Sequence, residues 1–221
     1  MNNISNDMEN WLDISLPIHP SMAIWPGNPG VELDSAQCMQ HGDVCNVSQL
    51  KIGTHTGTHV DTIKHFIKNG AGIDAAPLDH FIGPARVVAV ESERTIHLSD
   101  FDQNVISRGQ RILFKSRNSR EAIHSNTFQK DFVHLSIEVA EWLAEMQVTC
   151  VGVDYLSVGG FEGNVVDVHK ALLGNGIYAV EGLVLTDVEE GWYDLICLPL
   201  KIQGGDAGLT RAVIRKRATA P

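Results

Sequence analysis

At 221 residues, with 43% apolar and 20% charged, the chain is expected to form one globular domain, and a disordered or collagen-like chain is excluded. Seventeen Lys and Arg against twenty-seven Asp and Glu leave a formal charge of −10, the wrong balance for a protein that tracks nucleic-acid phosphates. No apolar run reaches the roughly 18 residues of a membrane span, and the opening MNNISNDMENW lacks the basic and apolar parts of a secretory leader. Four scattered cysteines read as reduced thiols, so a cytoplasmic protein with no membrane or nucleic-acid partner is expected.

In chain order, residues 11–18 read as a short strand closed by Pro17 and Pro20, and residues 25–30 (WPGNPG) as a rigid loop. Residues 31–53 offer two extended stretches around His41-Gly42-Asp43, a hairpin pattern. Further strands are expected at 85–90, 111–115, 149–153, 177–185 and 193–202, with Val213 and Ile214 in a last one. A short helix is expected near 100–106, capped by Ser99. A second, capped by Ser136, runs from 137 to about 147 with Val139, Leu143 and Met146 as its apolar stripe. A third spans 165–173 and stops at Gly174. Many strands, few helices and no regular βαβ alternation predict a single β-rich α+β domain rather than a doubly wound sheet.

The densest chemistry lies in residues 53–66, where His55, His59, Asp61 and His65 fall within eleven positions. Imidazole and carboxylate are common ligands of divalent cations. The i, i+4 spacing of His55 and His59 is that of a helical zinc protease, but Thr-Gly-Thr between them lacks that protease's glutamate and disfavours a helix. A straight helix would turn Asp61 and His65 away from the other two, and a straight strand would hold residues 55 and 61 about 20 Å apart. Gly57 is therefore expected to bend the chain. The cluster alone leaves two readings open: metal ligands, or polar residues scattered in a loop.

Two later residues bear on that choice. His169 shares a helix stripe with Val165 and Leu172, and Glu181 alternates with Ile177, Ala179, Leu183 and Leu185. A buried carboxylate must be paired, hydrogen-bonded or metal-bound. A core His–Glu pair is one solution; a shared metal site with the His55 cluster is the other. The remaining histidines (His19, His41, His80, His97, His124, His134) read as surface or satisfied core groups, and the glycine-rich stretch 157–163 as a mobile pocket wall.

The run from His55 through His59 and Asp61 to His65, followed by Asp167-Val168-His169-Lys170 and Glu181-Gly182-Leu183-Val184-Leu185, resembles the cyclase family. That family includes bacterial kynurenine formamidase and isatin hydrolase. Weaker matches in the same order are Asp13-Ile14-Ser15, the WPGNP loop, Leu198-Pro199-Leu200-Lys201 and Arg211-Ala212-Val213-Ile214. The resemblance implies a swivelling β/β/α fold and a metal-dependent amidohydrolase, with an arylformamidase acting on N-formylkynurenine as the first expectation. An isatin-type cyclic amide or lactone hydrolase is the alternative, and a non-catalytic metal-holding protein the alternative of another class. It assigns His55, His59 and Asp61 to one cation, His169 and Glu181 to a second, with Asp61 and Glu181 bridging. It makes His65 the proton donor and acceptor and Trp25 a substrate contact, and it implies a homo-oligomer.

That inventory is chemically coherent. Five ligands exceed the three protein ligands common at one catalytic zinc, and a pair of zinc or manganese ions would lower a water's pKa to about 7 from 15.7. A free imidazole with a pKa near 6.5 suits protonation of the departing amine. The chain departs from the family at Ile63-Lys64, where proline usually stands at the first position, leaving the loop less restrained and adding a cation near the site.

Overall fold

The computed structural model describes residues 11–220; the acidic opening stretch read above, residues 1–10, lies outside the described residues. The elements in order are β1 (Trp11–Asp13), β2 (Glu32–Gln37), β3 (Val47–Lys51), β4 (His59–Asp61), α1 (Ile63–Phe66), β5 (Ile82–Ala89), β6 (Thr95–Ile96), β7 (Arg111–Lys115) and β8 (His134–Leu135). There follow α2 (Ile137–Glu145), β9 (Cys150–Val153), α3 (Val165–Leu173), β10 (Tyr178–Glu181), β11 (Gly191–Ile196), β12 (Ala207–Leu209) and β13 (Val213–Lys216). Nine strands form one sheet in the order β1-β13-β11-β5-β7-β9-β10-β4-β12. Its centre, β5-β7-β9-β10, is parallel, and both flanks are antiparallel. The β-rich α+β expectation holds.

Alternation explains the two layers around the sheet. On β5 and β7, Val88, Ile112 and Phe114 face the layer that holds Val139 and Leu143 of α2 and Val168 and Leu172 of α3. Val87 and Leu113 point the other way, into a second core with Ile14, Val180, Tyr193 and Leu195. All four residues of β9 are buried, as a strand covered on both faces requires. Ser136 Oγ accepts the Val139 N–H and caps α2 as expected.

Several elements end earlier than expected. β10 stops at Glu181 because Gly182 takes φ +73°, and residues beyond it change face: Ile177 and Ala179 join the helix-side core, Leu183 and Leu185 the opposite one. β11 stops at Ile196, just before the segment with Pro199, which cannot donate to a ladder. The helix expected at 100–106 is instead two 3₁₀ turns, Leu98–Asp100 and Gln103–Val105. There the Asp100 carboxylate accepts the His97 N–H and Asp102 accepts the Asn104 N–H, so local side-chain bonds displace the helical ladder. α3 spans its expected residues, but Gly174 is right-handed; the left-handed residue is Gly176 at φ +77°. Residues 157–160 of the glycine-rich stretch are buried rather than free. A Cβ on Gly159 would stand 2.6 Å from Val165 Cα, so the glycine permits close packing onto α3.

Among the described residues the β2–β3 hairpin pairs only with itself, and every residue of its two strands is exposed. Among the described residues no helix is long and apolar enough to cross a membrane.

Candidate metal centre

The site is assembled where β4 enters the sheet between β10 and β12. Gly57 bends the chain with φ +64°, as the geometry of the histidine run requires. A Cβ on Gly182 would lie 2.3 Å from the Gly57 carbonyl oxygen, so these two backbones meet only because Gly182 has no side chain. Thr58 locks the crossing: its Oγ donates to the Gly182 carbonyl at 2.7 Å and accepts the Leu16 N–H at 2.7 Å. The register then sets Glu181 opposite His59 and Ala207 opposite Asp61. His59 and Asp61, two apart on a strand, share one face with Glu181. His169 reaches the same point from α3, and His65 from α1.

His59 Nε2 lies 3.3 Å from Asp61 Oδ1 and 3.4 Å from Glu181 Oε2. His169 Nε2 lies 3.4 Å from Asp61 Oδ2 and 3.3 Å from Glu181 Oε1. His55 Nδ1 is 2.8 Å from Asp61 Oδ1. The five residues expected as ligands therefore converge. Asp61 is fully buried, and His59, His169 and Glu181 nearly so.

The outer nitrogens show what this arrangement demands. His59 Nδ1 faces the Gly57 carbonyl at 3.0 Å and His169 Nδ1 faces the Val165 carbonyl at 2.6 Å. A carbonyl can only accept, so each ring carries a proton at Nδ1, and in its neutral form each turns an Nε2 lone pair toward carboxylate oxygens. Acceptors then face acceptors in the protein interior. His55 Nε2, His59 Nε2 and both Asp61 oxygens are buried without a hydrogen-bond partner. Such a cluster calls for positive charge at its centre, and a donor set of imidazoles and carboxylates fits a divalent cation.

Protonation follows the same demand. Where no cation supplies that charge, protons do. Burial opposes charge on His59 and His169, but the Asp61 and Glu181 carboxylates overcome it and raise both imidazoles to about 10, so a cation taken up here would displace the Nε2 protons. Burial pushes Asp61 up, and the surrounding His55, His169 and His59 outweigh it, holding the carboxyl well below its usual range. Glu181 is pushed up by burial and by Asp61, yet is lowered on balance by His169 and His59; it also accepts the Val158 N–H at 2.8 Å. Among the described residues, three sets of side chains could grip an ion: His55, His59 and Asp61; Asp61, His65 and His169; and His55, His65 and Asp206.

His65 stands at the edge of this cluster, with Nε2 3.8 Å from Asp61 Oδ2 and its ring 3.9 Å from that of His55. Burial lowers its pKa and the pull of Asp61 does not restore it. Both rings open onto a cavity of about 300 Å³ whose walls include Trp25, Phe66 and Leu156. Trp25 packs edge-on against Phe128 and Phe161, with ring centroids 5.2 and 5.3 Å apart. Larger concavities elsewhere, such as one of about 630 Å³ beside Leu50 and Leu200, bring no such donors together.

Lys64 does not add a cation to the site: it is exposed and its Nζ donates to the Gly204 carbonyl. Of the histidines read as ordinary, His124 bonds Thr186 Oγ and His134 faces the Phe132 carbonyl, whereas His80 Nδ1 is buried without a partner. Asp206 is a member of the site that sequence reasoning missed. It stands alone among glycines, far from the histidine run, and only the pairing of β12 with β4 brings it near.

A family model described as "Putative cyclase" matches residues 12–159. The chain is 39% identical over 209 residues to a protein of Salinibacter ruber named kynurenine formamidase, covering 92% of this chain and 96% of the relative. A protein of the same name from Erythrobacter litoralis is 36% identical, with 92% and 93% covered. Among solved structures, a predicted metal-dependent hydrolase from Bacillus stearothermophilus superposes with a TM-score of 0.81 at 28% identity, over 94% of this chain and 98% of that one. Isatin hydrolase A from Labrenzia aggregata shares the fold with a TM-score of 0.80 at 20% identity, over 93% of each chain. With its histidine run inside the matched residues and near-complete coverage of these relatives, the chain belongs to the cyclase family.

Proposed function

We propose that the chain acts as one metal-dependent amidohydrolase domain whose substrate is an arylformamide, N-formylkynurenine, cleaved by water to kynurenine and formate. The observation that carries this reading is the convergence of His59 and His169 Nε2 on the oxygens of Asp61 and Glu181, each 3.3–3.4 Å away in the protein interior. The relatives named kynurenine formamidase supply the substrate. His55, His59 and Asp61 would hold one divalent cation, and His169 and Glu181, with Asp61 shared, a second; imidazole and carboxylate suit zinc or manganese alike. When bound, the cations supply Lewis acidity, which activates a water and polarises the formyl carbonyl.

The protein's own part is to position, to exclude water and to move a proton. His65 has no other hydrogen-bonding task and faces the cavity beside Asp61. Lowered by burial, its imidazole is neutral near pH 7, able to take a proton from the attacking water at Nε2 and pass it to the departing amine nitrogen. Trp25, Phe66 and Leu156 give the aryl group an apolar wall, and Phe128 and Phe161 hold the Trp25 ring in place.

A homo-oligomer is part of this reading. The β2–β3 hairpin exposes Leu33, Val47 and Leu50, and a two-stranded ribbon is marginal alone in water. Its cover would be a second copy of the chain. The free cysteines fit a cytoplasmic setting.

The activity is tested by supplying purified, metal-replete protein with N-formylkynurenine and, separately, with isatin, and measuring formate and ring-opened product. Formate release at a rate far above the isatin reaction is expected. Isatin opening alone moves the specificity to cyclic amides, and turnover of neither removes the proposed activity.

A further inference from the structure

The three histidines read as ligands beside Asp61 are not presented alike. His59 and His169 each give their Nδ1 proton to a backbone carbonyl and offer Nε2 to the centre. His55 is reversed: its Nδ1 is 2.8 Å from Asp61 Oδ1, and its Nε2 points outward, 3.5 Å from Asp206 Oδ2. Among the described residues no carbonyl accepts from that outer nitrogen, which is buried. The Asp206 carboxylate stands in front of it, with His65 close to both.

Asp206 is held for this task from several sides. Thr54 Oγ donates to its Oδ1 at 2.9 Å, leaving Oδ2 to face the ring. The Asp206 carbonyl accepts both the Thr62 N–H at 3.1 Å and the Thr62 Oγ–H at 2.8 Å. Two residues earlier in the turn, Gly204 is pinned by Lys64 Nζ on its carbonyl and by Asp74 Oδ1 on its N–H. The aspartate is thus fixed to the segment that carries His55, His59 and Asp61, and Lys64 acts at a distance by steadying the turn that presents it.

We propose that Asp206 is a positioning residue: by accepting the Nε2 proton of His55 it selects the tautomer that turns the Nδ1 lone pair into the cation site. The inference rests on the reading that His55 holds a cation. A carboxylate behind a ligating imidazole fixes ring orientation and raises its basicity, and loss of such a partner typically weakens metal binding 10–100-fold. Because the His55 ring packs 3.9 Å from that of His65, the same contact steadies the group assigned to proton transfer.

The test is titration of the metal-stripped full chain with zinc alone, followed by calorimetry, for wild type, Asp206→Ala, Thr54→Val and His59→Ala. Asp206→Ala is expected to bind one zinc about 10–100-fold more weakly, and Thr54→Val, which keeps the carboxylate but frees Oδ1, to lose less. Imidazole NMR of zinc-loaded wild type, with His55 identified by His55→Asn, is expected to show the His55 proton on Nε2 and the His59 and His169 protons on Nδ1. That spectrum decides the matter even where Asp206→Ala fails to fold. Wild-type zinc affinity in folded Asp206→Ala, or a His55 proton on Nδ1, overturns the proposal and leaves the metal reading standing. A wild type that takes up no zinc removes the metal reading, and the proposal with it.

Discussion

Strand β4 and the β2–β3 hairpin violate the usual distribution of side chains in opposite senses. All three residues of β4 are buried although two are titratable, while every residue of the two hairpin strands is exposed although Leu33, Val47 and Leu50 are apolar. Buried polar groups need a partner of opposite character, and clustered exposed apolar groups mark a contact surface. The two segments are adjacent in sequence, joined through the bend at Gly57. Each is incomplete by itself, one electrostatically and the other hydrophobically, which fits chemistry at the first and the proposed association at the second.

The strongest way to break that contrast is Asp61→Ala. It removes the carboxylate shared by His55, His59 and His169, and formamide hydrolysis is expected to fall to background in a protein whose circular dichroism stays native. Retention of wild-type turnover would deny β4 its chemical role. His65→Ala comes next: kcat is expected to drop by about 10²–10⁴ while zinc or manganese content by elemental analysis is unchanged. Metal retained together with full turnover would show that the proton travels another way.

A buried carboxylate outside the site sharpens the distinction between structural and chemical burial. Asp154 accepts the N–H groups of Ser116 and Ser119 as well as both hydroxyls. Asp154→Ala is expected to destabilise the fold by about 1–3 kcal/mol for each N–H left without a partner, read by urea denaturation. Burial outweighs these donors and holds the Asp154 carboxyl above its usual range. Its contribution to stability is therefore full below the unfolded pKa and declines as pH rises through the folded one, a slope the variant should lack. The smallest effect on stability is expected at the hairpin. Leu50→Asp should change unfolding free energy by no more than about 0.5 kcal/mol yet dissociate the assembly in sedimentation; an unchanged association state would free the hairpin from that role.

Much of the site was legible because its residues are close in sequence and their spacing is geometrically awkward. Neither a helix nor a strand could converge His55, His59 and Asp61, so a bend at Gly57 was required, and its left-handed φ of +64° supplies it. Glu181 was readable from its alternation with Ile177 and Ala179, but Leu183 and Leu185 carried the same alternation past Gly182, whose φ of +73° switches the face. A period-2 pattern cannot reveal such a switch when both sheet faces are apolar. The expected helix at 100–106 failed because Asp100 and Asp102 bind nearby backbone N–H groups, a competition that propensity alone does not resolve. Asp206 was invisible for a different reason: its place depends on the long-range pairing of β12 with β4.

The most direct measurement is divalent metal content in protein purified without added metal and then dialysed against zinc, compared among wild type, His169→Ala and Asp61→Ala. Two ions per chain are expected in wild type, one or fewer after His169→Ala, and none held tightly after Asp61→Ala. Wild type without stoichiometric metal, or the same content in all three proteins, would contradict the two-cation reading.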